Sequence, residues 1–442
     1  MEEHMFIDQT KLIKQVRNYA EKISLTNAKT TAMFKNAIID TISNTVEVQD
    51  DRVFIATGDI PAMWLRDSTF QVLPYLSISE DIPDLKGLIH GVINQQLDYV
   101  NHDSYANAFN KTASGAHFNP DHSNVRISDL VWERKFEIDS LCAPLLLAVR
   151  LYEDTGYAQH FTDYFWQTVD LIVDTFIKEQ HHEHSEYFFE RDVGPASDTL
   201  SNAGRGTRIG YTGMVWSGFR PSDDACKYGY FVPGNMMIVT VIEHLLKIMK
   251  EQRIDDAALS TKMNRLANEV RNGIERYGVV ELPDGARIFA YEVDGLGNYN
   301  LMDDANVPSL LAIPFIGYTD ERDAVYVNTR KFVLSSNNPY YYQGTILSGI
   351  GSPHTPQNYV WPIALAMEGL TTSNLNLITT KLNVISQTDA NTNQCHEGID
   401  VNNPDKYTRE WFSWANMTFC QLAFHYLKLK GSWFKNRRSS LN

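Results

Sequence analysis

Apolar residues recur at spacings of three and four along most of this chain, which is the pattern of α-helices with one buried face. The clearest run comprises Phe161, Tyr164, Phe165, Thr168, Val169, Ile172, Val173 and Phe176. The same spacing predicts seven further helices, over 12–23, 85–92, 138–146, 238–249, 259–270, 375–385 and 419–426. Weaker patterns add helices at 33–42, 68–76, 304–313 and 356–367, which brings the total to about a dozen.

Strand signals are few, and long polar segments separate several helices. A hairpin is predicted over 279–293, because a Pro-Asp-Gly turn separates two β-leaning runs. Four connections exceed the usual loop length, and their Trp, Tyr, Asp and His content favours ordered functional loops over disorder: 101–134, 186–233, 335–355 and 388–412. A dozen helices with such connections can form paired inner and outer rings, although periodicity alone does not distinguish this toroid from a helical solenoid.

Composition favours one domain and a neutral partner. The 442 residues contain no Gly/Ser-rich or Pro-rich linker and no low-complexity tract, so we predict a single domain over residues 1–442. The formal net charge of -15 opposes nonspecific binding of phosphates, and no nucleic-acid partner is expected. Aromatic residues make up 12% of the chain. Most are expected in the core, and some could line a carbohydrate cleft.

The N-terminal segment and the cysteines indicate a cytoplasmic protein. Residues 1–14 include Glu2, Glu3 and Asp8 and no apolar h-region of a secretory signal. No apolar run approaches the roughly 18 residues of a membrane-spanning helix, so no membrane association is expected. The four cysteines are widely scattered, which favours free thiols in a reducing compartment over disulfides or a zinc site. They are Cys142, Cys226, Cys395 and Cys420.

The sequence predicts neither a metal nor another cofactor. His181, His182 and His184 follow a helical segment, and a solvated helix end is a better interpretation of them than a metal site. The chain contains no Gly-rich phosphate loop, HExxH motif, paired-cysteine metal signature or serine-hydrolase elbow.

Residues 58–68 combine an indole, a guanidinium and two carboxylates next to a helix start. The apolar face of a pyranose can lie on Trp64, while Arg66 and Asp67 can form charge-assisted hydrogen bonds with its hydroxyls. Alternatively, Asp67 caps a helix that begins at Ser68 and pairs with Arg66, and Trp64 belongs to the core. The residues alone leave both interpretations open.

Three further segments combine acidic and aromatic residues: 132–140, 216–225 and 395–414. The acids of the first could simply be favourable charges at a helix N-terminus. The second contains the adjacent pair Asp223 and Asp224, whose mutual repulsion in a cleft would raise the pKa of one of them, as a general acid requires. In the third, Glu397 lies in a Gly-flanked loop. Glycoside hydrolysis needs little more than two carboxyl groups, but these residues alone do not select the pair.

The chain closely resembles glycoside hydrolase family 125, the exo-acting α-1,6-mannosidases, over nearly its whole length. The resemblance rests on MWLRDS at 63–68, WERKFEIDS at 132–140, SGFRPSDDA at 217–225, DDAN at 303–306 and HEG at 396–398. It implies an all-α (α/α)6 toroid with long active-site loops and minor β-hairpins. It also implies metal-independent removal of non-reducing terminal α-1,6-linked mannose from oligosaccharides, with inversion at the anomeric carbon.

Residue by residue, the resemblance implies that Asp224 is the general acid and Glu397 the general base, with Asp223 as the alternative acid. For an inverting enzyme the two carboxyl groups are expected about 6.5 to 9.5 Å apart. The residues expected to contact the substrate are Trp64, Arg66, Asp67, Asp139, Asp223, Asn306, His354 and Trp411.

Two other functions remain open from the sequence. A glucoamylase-like or trehalase-like toroid would share the paired acids and prefer glucosides. A noncatalytic carbohydrate-binding protein would keep the aromatic residues without needing Asp224 and Glu397 as a pair. The sequence predicts neither the oligomeric state nor the natural glycan.

Overall fold

The computed structural model describes residues 7–431. Within this range there are fourteen α-helical segments, besides one short π-helix and three short 3-10 helices: α1 (Gln9–Ala20), α2 (Ala28–Asp40), α3 (Leu65–Val72), α4 (Asp84–His102), α5 (Ile138–Thr155), α6 (Asp163–Glu179), α7 (Ser201–Gly204), α8 (Val232–Gln252), α9 (Ala257–Tyr277), α10 (Ile313–Ile316), α11 (Ala324–Val333), α12 (Pro362–Leu370), α13 (Leu375–Gln387) and α14 (Ser413–Leu429). The segment α7 is a left-handed turn, since Asn202 and Ala203 have φ of 55° and 51°.

The strands are two to four residues long and pair only antiparallel, in seven small sheets of the described chain. They are β1 (Val46–Gln49), β2 (Arg52–Ile55), β3 (Met63–Trp64), β4 (Ala108–Phe109), β5 (Asp121–Ser123), β6 (Val131–Glu133), β7 (Phe189–Arg191), β8 (Tyr230–Phe231), β9 (Val279–Glu281), β10 (Arg287–Phe289), β11 (Glu292–Val293), β12 (Tyr299–Asn300), β13 (Tyr341–Gln343), β14 (Ser348–Ile350), β15 (Tyr359–Val360) and β16 (Ile399–Asp400). Most of them lie in the long connections between helices, which they hold in fixed conformations.

The eight helices predicted from strong periodicity are all present as α1, α4, α5, α6, α8, α9, α13 and α14. Several begin where a polar side chain accepts a backbone N–H of the first turn. Thr162 accepts from Phe165 before α6, and Asp256 accepts from Leu259 before α9. These caps satisfy N–H groups that have no partner within the helix. The hairpin over 279–293 is also confirmed, as β9 and β10.

Three of the four weaker helix predictions need correction. The prediction of a helix at 304–313 is wrong, since residues 304–312 are irregular. Pro308 has no N–H, and the Asp303 carboxyl group accepts the N–H groups of Leu310 and Leu311 at 2.8 and 2.9 Å. The helix predicted at 356–367 begins only with α12, because β15 pairs with β16 just before it. The helix predicted at 68–76 begins earlier, at Leu65, and becomes a 3-10 helix from Leu73. Helix α11 was not predicted.

Helix α8 corrects the expectation that no apolar run is long enough to cross a membrane. Its 21 residues include an 18-residue stretch that is long and apolar enough to cross a membrane by length and composition alone, although Glu243 and His244 interrupt the run. Of that stretch, 78% is buried inside the fold. A helix that is apolar on nearly all sides and buried in this way is typical of a protein core.

The chain divides into two compact units. The first comprises the described residues of 1–61, 67–92 and 340–442, and its core contains a T-shaped ring contact between Phe34 of α2 and Phe424 of α14. The second comprises 62–66 and 93–339, where α8 packs against α5 and α9. The single domain over residues 1–442 stays a prediction.

The histidine segment differs in part from the expectation of a solvated helix end. His181 and His184 are exposed after α6. His182 is buried, its Nδ1 lies 2.7 Å from Glu179, and its ring stacks on Trp216 with centroids 3.4 Å apart. All four cysteines are free and buried, as predicted.

Candidate active site

Arg66 is the centre of a buried charge cluster in the second unit. Its Nη1 donates to Glu137 at 2.6 Å and to Asp139 at 3.2 Å, and its Nη2 donates to Asp223 at 3.3 Å. Arg66 lies two residues after β3, in which Trp64 pairs with Ala108 of β4. The predicted residues Arg66, Asp139 and Asp223 are therefore in direct contact.

Burial controls the protonation of this cluster. Glu137 and Asp139 are fully buried. Desolvation raises the pKa of Glu137 well above its ordinary value, although the Arg66 charge opposes the shift. Desolvation also raises the pKa of Asp139, to about 6, again against Arg66. One guanidinium faces three carboxyl groups, two of them fully buried, and this imbalance together with desolvation favours the protonated form of Glu137.

We predict that Asp139→Asn changes how stability depends on pH. Because the pKa of Asp139 is 3.8 in the ordinary case and about 6 in the fold, the folded state binds the proton that the unfolded chain releases between these values. The free energy of unfolding of the native protein should therefore fall relative to the variant, by about 2 kcal/mol, as pH rises from about 4 to 6. Urea unfolding of both proteins across this range measures the difference.

Above pH 7 the difference between native protein and Asp139→Asn should be constant. The matched control is Asp255→Asn, since Asp255 is exposed. It should leave the pH dependence of unfolding unchanged. A difference between native protein and Asp139→Asn that stays flat between pH 4 and 6 would contradict the raised pKa.

Asp223 and Asp224 lie at the tip of a tight hairpin. Cys226 N donates to Gly218 O, Arg220 N donates to Asp224 O at 2.8 Å, and Asp223 N donates to Arg220 O at 2.9 Å. Asp223 has φ of 65°, the left-handed position of a three-residue hairpin loop, which Asp tolerates better than most residues. Asp224 is 1% exposed, whereas the side chain of Asp223 is 25% exposed. The hairpin thus places two adjacent carboxyl groups in different environments.

Side chains from other loops fix this hairpin. Ser222 Oγ donates to Asp304 at 3.0 Å, and Asn306 Nδ2 donates to the same carboxylate at 3.1 Å. Asn107 Nδ2 lies 3.4 Å from Asp223 Oδ1. Asn306 therefore connects to the hairpin through Asp304.

Glu397 lies in a braced loop of the first unit. Its backbone N donates to Thr408 O at 3.1 Å, and Gly398 N donates to Thr408 Oγ1 at 2.9 Å. The ring of the preceding His396 is buried and stacks on Tyr407, with centroids 3.6 Å apart, and burial lowers the pKa of this histidine. Glu397 itself is 8% exposed. The hydrogen bonds to Thr408 therefore fix the backbone from which the Glu397 carboxyl group extends.

Asp67 does not cap a helix. Helix α3 begins at Leu65, which puts Asp67 inside its first turn, and its Oδ2 accepts a hydrogen bond from Thr57 Oγ1 at 2.6 Å. Arg66 pairs with the other acids named above. The helix-cap interpretation of this segment is therefore wrong, although Trp64 is buried as that interpretation expected.

Trp411 and His354 lie on separate loops of the first unit. Trp411 Nε1 donates to Asp40 at 2.6 Å, and its carbonyl oxygen lies 2.6 Å from the place where a Cβ would sit on Gly58. Only glycine permits this approach. His354 is exposed, and its ring centroid is 6.4 Å from that of Trp361.

Comparison with known proteins decides the family. The family model described as metal-independent alpha-mannosidase (GH125) matches residues 27–424. The chain belongs to this family. A relative from Schizosaccharomyces pombe, the meiotically up-regulated gene 157 protein, is 35% identical over 429 residues, which is 92% of this chain and 84% of that protein. This GH125 protein is therefore a glycoside hydrolase of the α-mannosidase class.

Solved structures support the same assignment. A Streptococcus pneumoniae protein from a family of metal-independent α-mannosidases, solved in a non-productive complex with α-1,6-mannobiose, is 42% identical; the match covers 95% of this chain and 98% of that one with a TM-score of 0.90. A bacterial glucoamylase solved with acarbose matches with a TM-score of 0.60 at 12% identity, over 95% of this chain and 58% of that one, which shows the fold alone. The (α/α)6 prediction is confirmed, and the helical solenoid is excluded.

Sequence reasoning missed several residues that the structure places in contact with the predicted ones. Glu137 lies within the segment 132–140, yet only Asp139 was selected from it. Its signal in the sequence is an acid directly before the predicted helix over 138–146. Asp304 likewise lies in the matching segment 303–306. Asn107 gave no signal in the sequence, because it belongs to none of the motifs named above.

Within residues 7–431 no group of three or more His, Cys, Asp or Glu side chains is arranged to hold a metal ion. That no cofactor is needed stays a prediction.

Proposed function

We propose that this GH125 protein is an exo-α-1,6-mannosidase that removes non-reducing terminal mannose from oligosaccharides with inversion of configuration. The observation that carries the proposal is the bound α-1,6-mannobiose in the Streptococcus pneumoniae relative, which is 42% identical over nearly the whole chain. The cluster around Arg66 supports it, since the partly exposed Asp223 carboxyl group belongs to this cluster and such charged groups suit the hydroxyls of one sugar.

In the proposed mechanism Asp224 is the general acid and Glu397 the general base. Asp224 donates its proton to the glycosidic oxygen as the bond from this oxygen to the anomeric carbon breaks. A water molecule attacks the same carbon, and Glu397 accepts the proton that this water loses. The products are β-mannose and an acceptor with a free 6-hydroxyl. Proton exchange with solvent then restores both carboxyl groups.

The terminal sugar is proposed to contact eight residues: Trp64, Arg66, Asp67, Asp139, Asp223, Asn306, His354 and Trp411. The support differs among them. Arg66, Asp139 and Asp223 form one hydrogen-bonded group, whereas Asn306 is joined to the catalytic hairpin only through Asp304. His354 has the weakest support, because its ring contact is with Trp361, which is not one of the eight.

The proposal predicts the first product of the reaction. ¹H NMR of α-1,6-mannobiose during early turnover should show β-mannose before mutarotation produces the α anomer. A panel of α-1,2-, α-1,3- and α-1,6-mannobiose with isomaltose should show fastest cleavage of the α-1,6-mannoside. Initial release of α-mannose would contradict inversion, and faster cleavage of isomaltose would support a glucoside-specific enzyme instead.

We also propose that the protein acts in the cytoplasm on imported oligosaccharides. The support is that all four cysteines are free and buried, which suits a reducing compartment.

A further inference from the structure

Lys135 is a buried lysine to which the proposed mechanism gives no role. It lies between β6 and α5, and its side chain is 1% exposed. The Nζ donates to Asp223 O at 2.7 Å and to Asp198 Oδ1 at 3.1 Å, and it lies 3.5 Å from Glu133. Removing an ammonium from water is costly, so its partners must compensate for the lost hydration.

Part of this compensation is charge balance. Arg191 shares both carboxylates with Lys135, since it binds Glu133 at 2.7 Å and lies 3.3 Å from Asp198. Burial alone would lower the pKa of Lys135, but the nearby charges of Glu133, Asp223 and Asp198 outweigh it and raise this pKa. Lys135 therefore remains an ammonium at neutral pH.

The shortest contact of Lys135 is with a backbone carbonyl. The oxygen belongs to the peptide that joins Asp223 to Asp224, and Asp223 is the residue with left-handed φ. A hydrogen bond from a charged donor fixes the plane of this peptide, which sets the direction in which the chain enters Asp224. Arg220 N holds the far side of Asp224 through its carbonyl.

We propose that Lys135 is a positioning residue, which holds the peptide between Asp223 and Asp224 so that the Asp224 carboxyl group meets the leaving oxygen. This inference rests on the proposed role of Asp224 as general acid. It assigns to the buried lysine a function in proton donation beyond the balance of charge.

The test compares two substrates that differ in their need for an acid. α-1,6-Mannobiose needs protonation of its leaving oxygen, whereas the dinitrophenolate of 2,4-dinitrophenyl α-mannoside leaves without it. Lys135→Met should lower kcat on the disaccharide by about 30-fold or more, with KM within about threefold, and kcat on the dinitrophenyl substrate by less than about threefold.

Two further variants separate positioning from charge balance. Asp198→Asn removes a carboxylate that Lys135 binds but keeps the hydrogen bond from Lys135 to Asp223 O. The ratio of kcat on mannobiose to kcat on the dinitrophenyl substrate should therefore remain native. Lys135→Met combined with Asp198→Asn removes one charge of each sign, so no new charge is left buried without balance. This double variant should fold and retain the selective loss on mannobiose.

Equal losses on both substrates in the single and the double lysine variants would overturn the inference and leave Lys135 a purely structural role. Failure of both to fold, measured by thermal unfolding, would do the same. Asp224→Asn is assayed in parallel. If this variant shows no selective loss on mannobiose, the assignment of the acid fails, and that failure is distinct from a failure at Lys135.

Discussion

Asp224→Asn is expected to lower kcat on α-1,6-mannobiose by about 10³-fold with KM changed less than about threefold. The amide has the shape of the carboxyl group but cannot donate a proton of comparable acidity to the glycosidic oxygen. The contact between Arg220 N and Asp224 O involves only the backbone and should persist. Steady-state release of mannose measures the loss, and 2,4-dinitrophenyl α-mannoside should lose far less.

The matched control is Asp223→Asn, which changes the adjacent residue of the same hairpin. Asp223 contacts Arg66 and Asn107, so this substitution should raise KM. The ratio of kcat on mannobiose to kcat on 2,4-dinitrophenyl α-mannoside should remain that of the native protein. The reverse result, with near-full activity of Asp224→Asn and a selective loss in Asp223→Asn, would reassign the general acid to Asp223.

Glu397→Gln is expected to lower kcat by about 10³-fold on both substrates. Attack by water requires the base whichever group leaves, so a better leaving group should not restore the rate. The amide should preserve the loop, because the contacts that hold it join the backbone of Glu397 and Gly398 to Thr408. The same two steady-state assays measure this prediction.

Glu410→Gln is the control for this loop, since Glu410 is exposed and should tolerate the change with native rates. A loss confined to mannobiose in Glu397→Gln would assign Glu397 to the leaving-group side of the reaction. Near-native rates in both Asp224→Asn and Glu397→Gln would remove both residues from the mechanism and favour a noncatalytic sugar-binding protein.

The helices were predictable because their signals are local. A helix such as α6 carries apolar residues at spacings of three and four. Its start is marked by Thr162, whose side chain accepts the N–H of Phe165, three residues later. The β9–β10 hairpin has a similarly local signal, a turn with Gly285 at φ of 83°. The helix predicted at 304–313 fails although its competitor is nearby: the carboxyl group of Asp303, just before the segment, accepts backbone N–H groups that a helix would otherwise use, and apolar spacing does not record this contact.

The site was predictable only in part. The motifs placed Arg66, Asp139, Asp223 and Asp224 among the functional residues, and the family resemblance proposed which of them acts as the acid. Neither the motifs nor the resemblance indicated that Glu137 would bind the guanidinium of Arg66 together with Asp139 and Asp223. They also did not indicate that Lys135 would contact the carbonyl oxygen of Asp223. A motif names residue types, whereas these contacts depend on how separate loops pack.

By itself the sequence determined the helical class, the positions of the long loops and, through its motifs, the family. The tertiary structure alone decided the charge cluster, because Arg66 meets Glu137, Asp139 and Asp223 across 71, 73 and 157 residues of chain. Helix periodicity and capping act within a few residues, and a sequence records them directly. The protonation of buried acids follows from desolvation and from neighbours that only the folded chain brings together.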